Sequence, residues 1–135
     1  MFRKEPLSTA EFINSNPQCE QLIQCIYGLN FLEFKTFCTL QMIRESDIYC
    51  LMEHMGRTDR TKINRSLNKL IEMELVSRKK VSADGKSGYK YIYYPRSLIE
   101  VKKDLKEKVD KWYGDVVKEI DNLIIHFIEK AESLS

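Results

Sequence analysis

No apolar run in this 135-residue sequence approaches the roughly 20 residues that a membrane-spanning helix requires. The opening Met1-Phe2-Arg3-Lys4-Glu5-Pro6 lacks the apolar stretch of a secretory signal. A cytoplasmic location with no membrane partner is the expectation. Histidine is scarce, with only His54 and His126, and the four cysteines, Cys19, Cys25, Cys38 and Cys50, form no Cys-x-x-Cys pair. Zinc sites need closely spaced ligands that converge on one ion, so no metal site is expected. Disulfide frameworks belong to small secreted domains, and these cysteines read as reduced, mostly buried core residues. A thiol sensor is the competing reading of four cysteines in one half of the chain. Glycine-rich phosphate loops and nucleophile motifs are absent. His126, inside Ile125-His126-Phe127, reads as a helix-surface or interface residue. Neither an enzymatic activity nor a cofactor is expected.

What is present fits one soluble globular domain: 43% of the residues are hydrophobic and 31% charged. The net charge of +2 conceals an uneven distribution. Residues 1–54 carry 4 basic and 7 acidic side chains, residues 55–96 carry 11 and 4, and residues 97–135 carry 7 and 9. The middle third is therefore strongly positive, as a phosphate-facing surface requires, although a solvated basic face has the same composition.

Residues 1–16 read as a lead-in ended by Asn16-Pro17. Pro17 suits a first helical turn, and Cys19, Leu22, Ile23 and Ile26 recur at helical spacing up to Gly28. Asn30 is a good N-cap for a second helix with the apolar set Phe31, Phe34, Phe37, Cys38 and Met42, closed by Arg44-Glu45. A short third helix follows, with Ser46 as N-cap, Asp47 at the positive end of the dipole, and Ile48, Leu51, Met52 and Met55 inward. Gly56 can take the left-handed conformation of a sharp turn. Thr58 then caps a fourth helix, with Asp59 in its first turn and Ile63, Leu67, Leu70 and Ile71 facing inward. After Glu74 the period changes to two. Residues 75–81 and Tyr89–Tyr94, joined by the turn residues 83–88, form a hairpin that Pro95 stops.

The order is thus short helix, glycine turn, basic helix, lysine-rich hairpin. A helix that enters a major groove needs polar residues near its N-terminus and an apolar opposite face. Thr58, Arg60, Thr61, Lys62, Asn64, Arg65 and Lys69 supply the first, and Ile63, Leu67 and Leu70 the second. Arginine can grip guanine with two hydrogen bonds, and asparagine can do the same with adenine. Arg78, Lys79, Lys80, Lys86 and Lys90 place cations along the hairpin, where phosphates or a minor groove would lie. Residues 48–70 resemble the helix-turn-helix of small archaeal winged-helix transcriptional regulators, the TrmB-like and Lrs-like groups related to the MarR superfamily. Glu74-Leu75-Val76 is similar to their usual Gly-Leu-Val, with Glu74 in the glycine's place. The resemblance covers roughly residues 29–95. It implies that Arg60, Thr61, Asn64 and Arg65 read double-stranded DNA and that the wing lies near Gly85. It also implies a mainly α fold with a β-hairpin wing, of the α+β class.

From Ser97 the chain reads as one helix. Leu98, Val101, Leu105, Val109, Trp112, Val116, Ile120, Leu123, Phe127 and Ala131 step by three, four and four, an eleven-residue period that suits a nearly straight or slightly right-handed helix pair. Val117, Ile124 and Ile128 widen the stripe, and Gly114 weakens the helix by about 1 kcal/mol. Such a helix, about 50 Å long at 1.5 Å per residue, exposes more apolar surface than one small domain can cover. A homodimer is expected, with Val101, Leu105, Val109, Trp112, Val116, Ile120, Leu123 and Phe127 at its interface. Folding of the helix back onto its own domain is the alternative. The organisation is then a lead-in (1–16), a DNA-binding domain (17–96) with recognition helix 58–72 and wing 76–94, and a dimerisation helix (97–135). The longer TrmB proteins add an effector-binding domain for which this chain has no room, and its effector stays open. The functions compatible with this pattern are a regulator reading a roughly palindromic site, an architectural DNA-coating protein, and a winged helix used for protein contact.

Overall fold

The alternation of helical and two-residue periods translates into α1 (Cys19–Tyr27), α2 (Phe31–Ile43), α3 (Ile48–His54), α4 (Arg60–Glu72), β1 (Val76–Ser82), β2 (Tyr89–Pro95), α5 (Leu98–Asp121) and α6 (Leu123–Leu134). The computed structural model describes residues 18–56, 59–83 and 88–134. The lead-in, Pro17, Thr58, Gly85 and Lys86 lie outside the described residues. Two compact units are present, one running through Val101 and the other starting at Lys102. No helix among the described residues is long and apolar enough to cross a membrane.

The starts of α2, α3 and α4 are fixed by side chains. Asn30 caps α2 as expected: the Glu33 N–H donates to Asn30 Oδ1 at 2.7 Å, and the Asn30 N–H donates to Glu33 Oε1 at 2.8 Å. At α3 the cap is Asp47, not Ser46. The Cys50 N–H donates to Asp47 Oδ1 at 2.8 Å, because the Ser46 backbone is engaged elsewhere. Its N–H donates to the Tyr93 carbonyl at 3.0 Å and its carbonyl accepts from the Tyr93 N–H at 2.8 Å, so residue 46 extends the hairpin as a stub of third strand. At α4 the described cap is Asp59, whose Oδ1 accepts from the Thr61 N–H at 2.8 Å.

Leu29, Leu40, Leu51, Ile63, Leu67, Leu70 and Leu75 are fully buried, with Phe34, Phe37, Met55, Tyr93 and Val101 beside them. The α2 stripe departs from expectation: Leu40 is buried, Phe31 is half-buried and Met42 is 79% exposed. Met42 stands five residues beyond Phe37, well over a third of a turn off the buried face. The cysteines also depart. All four are free thiols, yet none is fully buried, since Cys19 opens α1 and Cys50 lies on the outer face of α3.

The chain leaves α4 through a left-handed residue. Glu74 has φ 61°, its N–H donates to the Ile71 carbonyl at 3.0 Å, and the Leu75 N–H donates to the Leu70 carbonyl at 2.9 Å. This is the Schellman pattern, with glutamate where glycine is the usual occupant. β1 and β2 then pair antiparallel from Val76↔Pro95 to Ser82↔Tyr89. Pro95 is the last strand residue and closes the ladder one position later than the sequence suggests.

In the second unit, α5 passes through Gly114 without interruption, and the helix breaks at Asn122. Backbone bonds from the Asn122 N–H to Lys118 (3.1 Å) and from the His126 N–H to Asn122 (2.9 Å) carry across the break. An apolar band stays exposed in this unit, including Trp112 at 54%, Ile120 at 61%, Ile124 at 75% and Phe127 at 65%.

Candidate nucleic-acid interface

The core side of α4 determines what its other side can present. Ile63, Leu67 and Leu70 have no exposed surface and Ser66 is 3% exposed, so the helix is held against α2, α3 and β1 along one face. At 3.6 residues per turn the opposite face must then carry Arg60, Thr61, Lys62, Asn64, Arg65 and Asn68. All six are exposed, and Lys69 is half-exposed in the last turn. Among the described residues, the side chains of Lys62, Asn64 and Arg65 have no hydrogen bond or ion pair, so their donors are available to a ligand. Arg60 is steadied by Tyr49, whose ring centroid lies 5.1 Å from its guanidinium carbon. The helix is aimed by the turn before it: Gly56 has φ 77°, a conformation that costs a residue bearing Cβ roughly 1–2 kcal/mol.

The hairpin contributes a second set of cations. Arg78, Lys80 and Lys90 are exposed, as is Lys79. They are not equivalent. Lys90 Nζ is 3.4 Å from Asp47 Oδ2, and Lys79 Nζ is 3.4 Å from Glu45 Oε2. Arg78 and Lys80 instead lie over aromatic rings, 4.2 Å from the centroids of Tyr91 and Tyr89. Of the residues expected to touch DNA, the structure therefore gathers Arg60, Thr61, Lys62, Asn64 and Arg65 on one face of α4, sets Lys69 at its end, and strings Arg78, Lys80 and Lys90 along the hairpin. Asn68, exposed on the same face of α4, and the rings of Tyr49, Tyr89 and Tyr91 beside the cations were not among the residues expected from the sequence. Asn68 was visible in principle, standing four residues after Asn64. The ring contacts depend on strand register and helix crossing, which no local pattern specifies.

The expected interface residues of the long helix are split. Val101 is 1% exposed; its side chain belongs to the core of the first unit and offers no surface to a second copy. Leu105 and Val116 are half-buried, and Val109, Trp112, Ile120, Leu123 and Phe127 are exposed.

One burial effect on ionisation is clear. Partial burial, reinforced by the negative charge of Glu20, pushes the Cys38 thiol above its ordinary value.

A capped short helix, a glycine turn, a polar-faced helix buried on its other side and a basic hairpin define a winged helix-turn-helix of the regulator type. The family described as sugar-specific transcriptional regulator TrmB matches residues 23–98, more than half of the chain. An uncharacterized protein of Methanocaldococcus jannaschii is 36% identical over 73% of this chain and 80% of its own length. A second uncharacterized protein of that organism is 27% identical over 84% of this chain and 88% of its own. The chain belongs to the TrmB family of transcriptional regulators. Among solved structures, a possible transcriptional regulator from Methanosarcina mazei is similar with a TM-score of 0.71 and 22% identity, over 89% of this chain and 98% of that one. A protein of Sulfolobus tokodaii gives a TM-score of 0.59 at 23% identity, over 72% of this chain and 93% of that one. These structural likenesses concern the fold.

Proposed function

We propose that this chain is a cytoplasmic, sequence-specific DNA-binding regulator that acts as a homodimer on a roughly palindromic site. The observation that carries the reading is the division of α4: one face buried, the other an exposed row of Arg60, Thr61, Lys62, Asn64 and Arg65, of which Lys62, Asn64 and Arg65 have no side-chain partner among the described residues. Such a row can reach base edges, while Lys69 and the hairpin cations Arg78, Lys80 and Lys90 hold phosphates. Thr58 and Lys86, outside the described residues, are added to these two sets on sequence alone. The working division is a lead-in (1–16), a DNA-binding domain (17–96) and a dimerisation helix (97–135).

The second unit supports the dimer. Soluble monomers rarely leave a large contiguous apolar band open to water, and Trp112, Ile120, Leu123, Ile124 and Phe127 make one. A second copy is the occupant we assign to it. At about 25 cal/mol per Å² its burial supplies free energy to set against the entropic cost of association, and two-fold pairing would present two recognition helices to successive major grooves.

Selection of bound fragments from a random duplex library, at physiological salt, tests the reading. A shared motif with two-fold symmetry is expected. Uniform enrichment would replace it with the architectural DNA-coating reading, and no binding at low salt would leave only a protein-contact role.

A further inference from the structure

The two faces of the hairpin differ in a way that phosphate contact alone does not explain. Strand alternation and the register place Arg78, Lys80, Tyr89, Tyr91 and Tyr93 on one face, and Lys79, Lys90, Ile92 and Tyr94 on the other. On the second face the lysines are matched to carboxylates, Lys79 to Glu45 and Lys90 to Asp47, each at 3.4 Å. Those carboxylates offset part of the lysines' positive charge on that face. On the first face neither Arg78 nor Lys80 has a carboxylate partner among the described residues. The cations of that face carry no such offset.

The first face is also aromatic. Tyr93 is buried at the root of the hairpin with 4% exposure, while Tyr89 further out is 57% exposed. The ring centroids step along the strand by 6.4 Å from Tyr93 to Tyr91, with the planes 50° apart, and by 5.5 Å from Tyr91 to Tyr89, edge to face at 76°. An exposed ring at Tyr89 adds nothing to the core, and gripping phosphates needs only cations. The spacing narrows the choice of ligand. Side chains two residues apart on one strand stand about 6.6 Å apart at 3.3 Å per residue, whereas bases of a closed duplex follow one another at about 3.4 Å. Rings so spaced and so turned cannot serve neighbouring bases of an intact helix, but the exposed Tyr89 ring can meet a single base released from its stack. A guanidinium or a tyrosine ring beside a cation is what unpaired bases stack on.

We propose that the hairpin face bearing Arg78, Lys80, Tyr89 and Tyr91 is a stacking site for an unpaired DNA base, so that the protein holds a locally opened duplex more tightly than a closed one. The proposal rests on the reading of the chain as a DNA-binding protein, with α4 as the duplex reader. In this arrangement α4 engages paired DNA while the wing takes a base from a melted or mismatched segment beside it.

The test is fluorescence anisotropy of the full chain on two labelled DNAs of the same sequence, one fully matched and one with a run of mismatches beside the selected site. Wild type should bind the mismatched DNA about tenfold more tightly, which is what one base–aromatic stack supplies. Tyr89→Ala should abolish that preference while changing affinity for the matched duplex less than about twofold, and Tyr89→Phe, which keeps the ring, should retain it. Tyr89 is exposed, so both variants should fold, and circular dichroism checks this. Equal binding of the two DNAs by wild type, or a preference that survives in Tyr89→Ala, overturns the proposal while matched-duplex binding leaves the regulator reading intact. Failure to bind either DNA at low salt overturns both.

Discussion

Glu74 occupies a left-handed position, φ 61°, at the junction between the proposed recognition helix and the wing, and replacing it with glycine gives a measurable consequence. A residue with a Cβ in that conformation costs about 1–2 kcal/mol. Glycine removes the cost but gives back about 0.5–1 kcal/mol through the greater freedom of the unfolded chain. The side chain is exposed and has no hydrogen bond or ion pair among the described residues, so no packing is lost. The net for Glu74→Gly is a stabilisation of about 0.5–1 kcal/mol, or about 2–4 °C in melting temperature for a chain of this size. Urea unfolding followed by circular dichroism measures it, with an unchanged m value showing that the native state is the same. Glu74→Val, with a branched Cβ forced into the same backbone, should lower stability instead. Equal or lower stability for Glu74→Gly, or a neutral Glu74→Val, would refute the argument that the junction stores backbone strain.

Other consequences follow from the caps, the thiols and the exposed band. Asp47→Ala removes the α3 cap and the Lys90 partner, and should destabilise by about 0.5–2 kcal/mol, whereas Lys90→Met should cost well under 1 kcal/mol because the pair is partly solvated; equal losses in thermal unfolding would contradict the cap assignment. Thiolates are the species that alkylate, so the exposed Cys19 and Cys50 should label with iodoacetamide before Cys38, whose thiol is pushed up by burial and by Glu20; peptide mass spectrometry after a brief pulse at mildly alkaline pH shows the order, and early labelling of Cys38 would contradict it. In sedimentation at micromolar concentration the chain should run at twice its own mass, and Ile120→Glu with Phe127→Glu should return it to a monomer; a monomeric wild type would remove the dimer from the account.

Local features were legible in the sequence because local physics sets them. The Asn30 cap depends on Glu33 three residues away, the buried stripe of α4 on a repeat of one helical turn, and the hairpin on a two-residue period ended by Pro95. The left-handed turn at Gly56 was readable from the glycine itself. What escaped was set by partners distant in the chain. Ser46 looks like a cap until its backbone is seen to pair with Tyr93, a strand contact that leaves capping to Asp47. Val101 reads as part of an interface stripe, but the first unit claims it for its core. Asn122 gave no warning of a break, while Gly114, the weaker helix former, is passed without one. Residue types and spacing nominated Arg60, Asn64 and Arg65, and all three are exposed on one face of α4. Only the paired strands revealed that Lys79 and Lys90 are matched by carboxylates while Arg78 and Lys80 lie on tyrosines.

If the exposed face of α4 reads bases in duplex DNA, its polar side chains must discriminate between sequences. The most direct test compares Asn64→Ala and Arg65→Ala with wild type, on the selected site and on random duplex at the same salt concentration. Each change should cost about 1–3 kcal/mol on the selected site and relax preference at one base position, with random-duplex affinity changed far less. Equal losses on both DNAs, or no loss on either, would contradict base reading by α4.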